Sequence, residues 1–155
     1  MNTELSKDEV RGMLTTLFAE QMPFHQLIGL TVAAFEKDRV ELKIKMKPQL
    51  VGNVLHGILH GGVTATLLDV AGGMIVFDQV LETMDFVSQE TVVSKIQNLG
   101  TIDLRVDYLR PGRGEEFTAT ATVIRAGNKV AVARMELHNE KGDHIAFGTG
   151  TYMVG

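Results

Sequence analysis

One long apolar run with a single carboxylate in its middle dominates the chain: Leu59-His60-Gly61-Gly62-Val63-Thr64-Ala65-Thr66-Leu67-Leu68-Asp69-Val70-Ala71-Gly72-Gly73-Met74-Ile75-Val76-Phe77. Its large apolar side chains recur at three- and four-residue spacing, which is the period of an α-helix rather than that of a strand. The pattern predicts a buried helix from about Gly61 to Glu82, with a candidate site at its first turn.

Asp69 lies on a face of small residues. At about 100° per residue, Gly62, Ala65, Thr66, Gly72, Gly73 and Val76 fall within about 60° of it. Adjacent glycines inside a helix cost about 0.8–1.0 kcal/mol each relative to alanine. Their presence beside a carboxylate indicates close approach by a neighbouring helix or a ligand. A purely structural Asp69 is the alternative, but an unpaired charge in an apolar helix is strongly disfavoured.

The first turn of the predicted helix offers a second polar feature. The N–H groups of Gly61 and Gly62 have no acceptors within the helix, and they point outward with the positive end of the helix dipole. Such amides can hold an anion or a polarised carbonyl oxygen. His60 stands beside them, and Asn53 and His56 precede them in a loop predicted over residues 48–59.

Composition bounds the class of protein. The chain has 155 residues, of which 45% are hydrophobic and 22% charged, with a net charge of −4, and these values predict one globular domain over residues 1–155. The negative charge argues against nucleic-acid binding. The absence of cysteine excludes disulfides, thiol catalysis and thiolate metal sites.

Residues 1–22 are predicted to form an amphipathic helix that begins at a capping box, Ser6-Lys7-Asp8-Glu9. Because this N-terminus is charged, no signal peptide is predicted, and we expect a cytoplasmic protein. Asp69 and the glycines interrupt the central helix, which leaves it short of the ~20 apolar residues of a bilayer span. No membrane association is therefore expected.

Alternating apolar and polar residues predict most of the strands. They cover residues 27–32, 39–47, 102–108, 117–123, 130–137 and 144–153, and residues 89–97 are expected to form a short helix or strand. A glycine-asparagine pair at Gly127 predicts a hairpin between two of the strands. Strands surrounding one long helix indicate an α+β fold with a mostly antiparallel sheet.

Two motifs carry a resemblance to a known family. His60-Gly61-Gly62 with Asp69 nine residues after the histidine, followed by the strand Asp103-Leu104-Arg105-Val106-Asp107-Tyr108-Leu109-Arg110-Pro111, resembles the hotdog-fold acyl-CoA thioesterases. The phenylacetate-pathway and Them2-like branch is the most similar, over about residues 24–154. The resemblance implies a mostly antiparallel sheet wrapped around one long central helix, an acyl-CoA substrate and no cofactor.

The resemblance also implies roles for particular residues. The Gly61 N–H would polarise the thioester carbonyl, His60 would shape that end of the site, and Asp69 would activate water or attack directly. Thr101 matches a hydroxyl residue that orients the water. Asn53 corresponds to a second carbonyl contact, although its spacing to His60 is one residue longer than in the family.

The phosphates of coenzyme A need positive partners, for which we name Arg110 and Arg113, on either side of Pro111 and Gly112. Gly62 is predicted as a further substrate-binding residue. No metal site is predicted. His138 and His144 fall at strand ends without a carboxylate partner in the sequence pattern, and zinc sites normally need three or four ligands.

Two other functions remain open at this stage. A hotdog 3-hydroxyacyl dehydratase or hydratase would pair an acid with a histidine. A non-catalytic acyl-CoA-binding module would keep the pocket without needing an ionised Asp69.

Helix geometry predicts more than one subunit. Gly61 and Asp69 are eight residues apart, which is about 12 Å along the helix axis. One thioester carbon cannot touch both, so a shared site in a homodimer or a dimer of dimers is expected.

Overall fold

The computed structural model describes residues 3–155 and has the predicted α+β architecture. Its helices are α1 (Lys7–Thr16), α2 (Pro23–Ile28), α3 (Gly61–Glu82) and α4 (Gln89–Asn98), with a π-helical turn over Leu17–Gln21 and a 3₁₀ turn over Pro48–Leu50. The strands are β1 (Thr31–Glu36), β2 (Arg39–Lys45), β3 (Val51–Asn53), β4 (Ile58–Leu59), β5 (Gly100–Tyr108), β6 (Glu116–Ala126), β7 (Val130–Asn139) and β8 (His144–Met153).

Six strands form one antiparallel sheet in the order β1-β2-β6-β7-β8-β5. Strands β2, β5, β6, β7 and β8 all contact α3. Alternate residues of β7, from Ala131 to Leu137, are buried, as expected for a strand with one face on the core. The sheet therefore wraps around α3, which confirms the predicted arrangement. The remaining strands, β3 and β4, form a separate hairpin that leads directly into α3.

Helix α3 has the bounds predicted from the sequence. The expectation that it is too short and too interrupted to span a membrane is wrong, because its 22 residues and mean hydropathy of 1.4 meet both requirements. What distinguishes α3 from a membrane span is its packing. More than half of its most apolar window is buried inside the protein, at 56%, and Leu67, Leu68 and Ala71 are fully buried.

Two local predictions need correction, and a third is confirmed. Residues 27 and 28 end α2 instead of beginning a strand, because Gly29 adopts a left-handed conformation (φ 80°) that caps the helix, and β1 begins only at Thr31. The predicted loop over residues 48–59 contains the 3₁₀ turn and the β3-β4 hairpin. Of the two alternatives for residues 89–97, the helix is confirmed: they belong to α4, which starts at a capping box formed by Ser88 and Thr91.

The N-terminal helix begins at the predicted capping box, in which the Ser6 hydroxyl accepts from the Glu9 N–H and Glu9 accepts from the Ser6 N–H. Helix α1 ends at Thr16, and the π-helical turn that follows directly ends at Gln21, close to the predicted end at residue 22. The apolar side chains Val10 and Leu14 join the same hydrophobic cluster as those of α3.

A buried ion pair fastens α1 to the second half of α3. The guanidinium of Arg11 contacts Oδ1 of Asp78 at 2.7 and 2.8 Å, and the two residues are only 5% and 1% exposed. The other carboxylate oxygen of Asp78 accepts the N–H of Asp38, at 2.8 Å, in the turn between β1 and β2. Arg11 also binds Glu82 and the exposed Asp8. The sequence pattern did not identify this network.

The network makes the fold sensitive to acid. The hydrogen bond from Arg11 lowers the pKa of Glu82 in the folded protein, against a smaller opposing effect of burial. Because the pKa of Glu82 is lower in the folded protein than its unfolded value of about 4.5, this group stabilises the fold at pH values above about 4.5. The stabilisation is lost as the pH falls through the folded pKa.

We expect Asp78→Ala to lower the free energy of unfolding by about 3–5 kcal/mol, because it leaves Arg11 with an incompletely paired buried charge. The matched control is Asp8→Ala, which removes a 91% exposed partner of the same guanidinium and should cost at most about 1 kcal/mol. Urea unfolding followed by circular dichroism measures both values. Equal losses in the two variants would contradict a stabilising role specific to the buried pair.

Candidate active site

The carboxylate of Asp69 is held at one of its two oxygens. It is half-buried near the middle of α3, and its Oδ1 accepts a hydrogen bond from the Thr101 hydroxyl at 2.9 Å and a longer one from the Tyr152 hydroxyl at 3.3 Å. No described residue donates to Oδ2. The side chain is therefore oriented by two donors while one oxygen keeps its lone pairs for a proton or an electrophile.

Tyr152 is a site residue that the sequence analysis missed. Its hydroxyl also donates to the backbone carbonyl of Asp69 at 3.0 Å, across 83 residues of sequence. Burial raises the pKa of Tyr152 well above its usual value, and the charge and hydrogen bond of Asp69 raise it further. The phenol therefore stays protonated and acts as a donor. No spacing rule signals a contact between residues so far apart.

The small residues beside Asp69 make room for this tyrosine. A Cβ atom at Gly72 would lie 2.1 Å from the Tyr152 hydroxyl oxygen, and one at Gly150 would lie 2.7 Å from the same ring. The expectation that a neighbouring helix or ligand approaches Gly72 is therefore corrected, since the close neighbour is a side chain of the same molecule. Gly73 has more space, with a nearest contact at 3.7 Å.

The head of α3 is organised by His60, which is the residue that caps the helix. Its Nδ1 accepts the N–H of Gly62 at 2.8 Å, so the neutral imidazole carries its hydrogen on Nε2. No described residue accepts from the Gly61 N–H. The carbonyl of the same residue, Gly61, accepts a hydrogen bond from the Tyr108 hydroxyl at 2.7 Å. The arrangement leaves the Gly61 N–H as a donor at the positive end of the helix.

Strand β5 contacts both polar features. Its beginning supplies Thr101 to Asp69, and its end supplies Tyr108 to Gly61. Because α3 is continuous between Gly61 and Asp69, the two groups stand about 12 Å apart along the helix axis. The structure thus places the predicted carbonyl-binding amide and the predicted base on one helix without bringing them together in one chain.

The remaining predicted site residues lie around the head of α3. The Asn53 side chain accepts the Leu55 N–H within the β3-β4 hairpin, so its oxygen is engaged in a turn. The loop after β5 contacts this hairpin, since the Leu59 N–H donates to the Gly112 carbonyl and Arg113 donates to the His56 carbonyl. Arg110 and Arg113 are exposed on that loop.

The two histidines at the strand ends do have a carboxylate neighbour. Glu136, His138 and His144 each offer a ligand atom within 4.8 Å of the others. The sequence analysis missed Glu136 because it ended the predicted strand at residue 137, whereas β7 continues to Asn139 and places His138 on the same face as Glu136.

Comparisons with known proteins identify the family. The profile of the thioesterase superfamily matches residues 56–146. The chain is 46% identical over 155 residues to the medium/long-chain acyl-CoA thioesterase YigI of Escherichia coli (strain K12), with 100% of both chains covered.

Solved structures are similar over nearly the whole chain. A Shewanella oneidensis protein described as related to the thioesterase superfamily is 54% identical with a TM-score of 0.94, covering 99% of this chain and 100% of that one. A putative thioesterase from Syntrophus aciditrophicus is 37% identical with a TM-score of 0.85, covering 97% and 100%. These similarities confirm the predicted hotdog fold.

We expect Gly72→Ala to destabilise the protein by about 1–3 kcal/mol, because the added methyl group would displace the Tyr152 hydroxyl from Asp69. Gly73→Ala is the matched control, which adds the same methyl group where there is room and should be neutral or stabilising by up to about 1 kcal/mol. Thermal unfolding compares the two. A larger loss for Gly73→Ala would indicate a neighbour that a single chain does not contain.

Proposed function

The chain belongs to the thioesterase superfamily, and we propose that it hydrolyses acyl-CoA thioesters to the free acid and coenzyme A. The observation that carries the proposal is the carboxylate of Asp69, which two hydroxyl donors orient at Oδ1 while none of the residues 3–155 donates to Oδ2. The full-length similarity to a medium/long-chain acyl-CoA thioesterase supports an acyl chain of that length as substrate.

In the proposed reaction, Oδ2 of Asp69 is the reactive oxygen. As a general base it takes a proton from water, which attacks the thioester carbon; as a nucleophile it attacks the carbon itself, and water then cleaves the anhydride. Thr101 and Tyr152 hold the carboxylate in place in both routes. In either case the C–S bond breaks, and the leaving sulfur of coenzyme A receives a proton.

The developing negative charge on the carbonyl oxygen needs a donor that is already in position. We assign this role to the Gly61 N–H, which has no acceptor among the described residues and lies at the positive end of α3. His60 is a positioning residue, because its Nδ1 holds the neighbouring Gly62 amide. Arg110 and Arg113 are proposed to bind the phosphates of coenzyme A from the adjacent loop.

A shared site follows from the distance between the two groups. Gly61 and Asp69 are about 12 Å apart along the axis of α3. A thioester carbonyl that accepts a hydrogen bond from the Gly61 N–H is therefore too far from Asp69 of the same chain. We therefore propose a homodimer in which Gly61 of one chain faces the carboxylate from the other, and two-fold symmetry would produce two such sites. A dimer of dimers is compatible with the same arrangement.

Exposed apolar side chains support an interface near these residues. Ile102 and Tyr108 on the edge strand β5 are each 55% exposed, although their alternation predicted one buried face. Val54 and Leu55 at the tip of the β3-β4 hairpin are 88% and 87% exposed. An unpaired apolar edge is a liability in a monomer, and a second subunit would cover it.

We expect the purified protein to release free thiol from a panel of acyl-CoAs, with medium and long chains the best substrates. Asp69→Asn should retain the fold and lose about 10²–10⁴-fold in turnover, because the base or nucleophile is removed. Asp85→Asn, an exposed carboxylate outside the site, is the matched control and should keep full activity. A thiol-reactive dye measures the rates.

Three results would contradict this assignment. Undiminished turnover by Asp69→Asn would mean that Asp69 is structural. Acyl-CoA binding without any thiol release would favour the binding module, and interconversion of 3-hydroxyacyl- and enoyl-CoA would favour the dehydratase or hydratase.

The shared site predicts complementation between two inactive variants. When Asp69→Ala and His60→Ala chains are unfolded together and refolded, random pairing makes about half of the dimers mixed, and each mixed dimer has one intact site of two. About a quarter of wild-type activity should therefore return. Each parent refolded alone must stay inactive as the control. No recovery despite subunit exchange, measured by mass spectrometry of tagged chains, would mean that one chain builds the whole site.

A further inference from the structure

A second polar cluster lies on the face of the sheet that points away from α3. Glu136 and His138 alternate along β7 with Met135 and Leu137, which are fully buried, so their side chains project from the opposite face. His144 on β8 pairs directly with His138. The three side chains are half-buried, and their ligand atoms all lie within 4.8 Å of one another.

One atom of this cluster is left without a hydrogen bond. Nε2 of His144 is buried and has no partner among the described residues. Buried polar atoms are nearly always paired, so an orphan of this kind indicates a missing partner such as an ion or a water molecule. The atom belongs to an imidazole, and its neighbours are a second imidazole and a carboxylate. Zinc sites combine these two types of ligand.

We propose that Glu136, His138 and His144 bind one divalent transition-metal ion, for which Zn²⁺ is the best probe. Two histidines and a glutamate form a known three-ligand set for zinc, and water completes the tetrahedron. The site lies on the outer face of the sheet, whereas Asp69 lies on the helix that the inner face covers. The ion is therefore separate from hydrolysis and would join the ends of β7 and β8.

Binding requires a small rearrangement. The rings of His138 and His144 stack with centroids 4.5 Å apart and an angle of 9° between their planes. Because a metal ion lies in the plane of each imidazole that binds it, one ring must turn about its Cβ–Cγ bond, a torsion with broad preferences. Ligand atoms around one zinc ion are about 3.3 Å apart for bonds of about 2.05 Å, so the cluster must also contract.

Isothermal titration of EDTA-treated, desalted protein with ZnCl₂ tests the proposal. We expect one zinc ion per chain for the wild type, and binding at least about tenfold weaker for His138→Gln and for His144→Phe, each of which removes a ligand. The phenylalanine keeps an aromatic ring stacked on His138. His56→Gln removes an exposed histidine from the β3-β4 hairpin and is the matched control, with unchanged binding.

Cobalt(II) provides a second measurement that a structural effect would not mimic. Four-coordinate Co²⁺ gives intense visible absorption bands, which we expect for the wild type and His56→Gln and not for either ligand variant. If a ligand variant fails to fold by circular dichroism, Glu136→Gln replaces it. No saturable zinc binding by the wild type, equal binding by the ligand variants, or loss of binding in His56→Gln would each overturn the proposal.

Discussion

A carboxylate in the middle of an apolar helix is tolerated only when other groups satisfy it, and much of this structure serves that requirement. The donors to Asp69 come from two neighbouring strands of the sheet, Thr101 at the start of β5 and Tyr152 near the end of β8. The tyrosine reaches the helix because Gly72 and Gly150 leave space for its ring. Helix, sheet and glycine positions are thus linked through one side chain, and both hydroxyl contacts fall on the same oxygen of Asp69.

The central helix also separates the two groups to which the proposed reaction assigns a role. Its head presents the Gly61 amide, and its middle presents Asp69, so the rigidity that buries α3 keeps the groups apart. The sheet reinforces the separation, because opposite ends of β5 contact the two positions. A helix with an intact hydrogen-bond ladder does not bend enough to close such a gap. The proposed shared site and the exposed apolar edge on β5 are therefore two aspects of one arrangement.

The features that the sequence predicted correctly are those that depend on residues close together in the chain. The period of α3, the capping box at Ser6 and the alternation of β7 each depend on neighbours in sequence, and the structure agrees with them. The contacts that the sequence did not predict join distant residues: Tyr152 with Asp69, and Arg11 with Asp78. Thr101 was found through the family resemblance. Residues 27–30 were wrongly assigned to a strand because Gly29 ends a helix there, and a glycine between apolar residues is equally compatible with a strand.

The strand order has a consequence for the synthesis of the protein. Strand β5 leaves the ribosome before β6, β7 and β8, but its only partner in the sheet is β8. Until β8 is made, β5 has no strand to pair with, and Asp69 lacks the tyrosine that arrives 83 residues after it. At typical elongation rates of about 5–20 residues per second, this delay lasts roughly 4 to 17 seconds. In the later part of that interval, after β5 has been made, the nascent chain carries an unpaired apolar strand, so protection by a chaperone would matter most between the synthesis of β5 and that of β8.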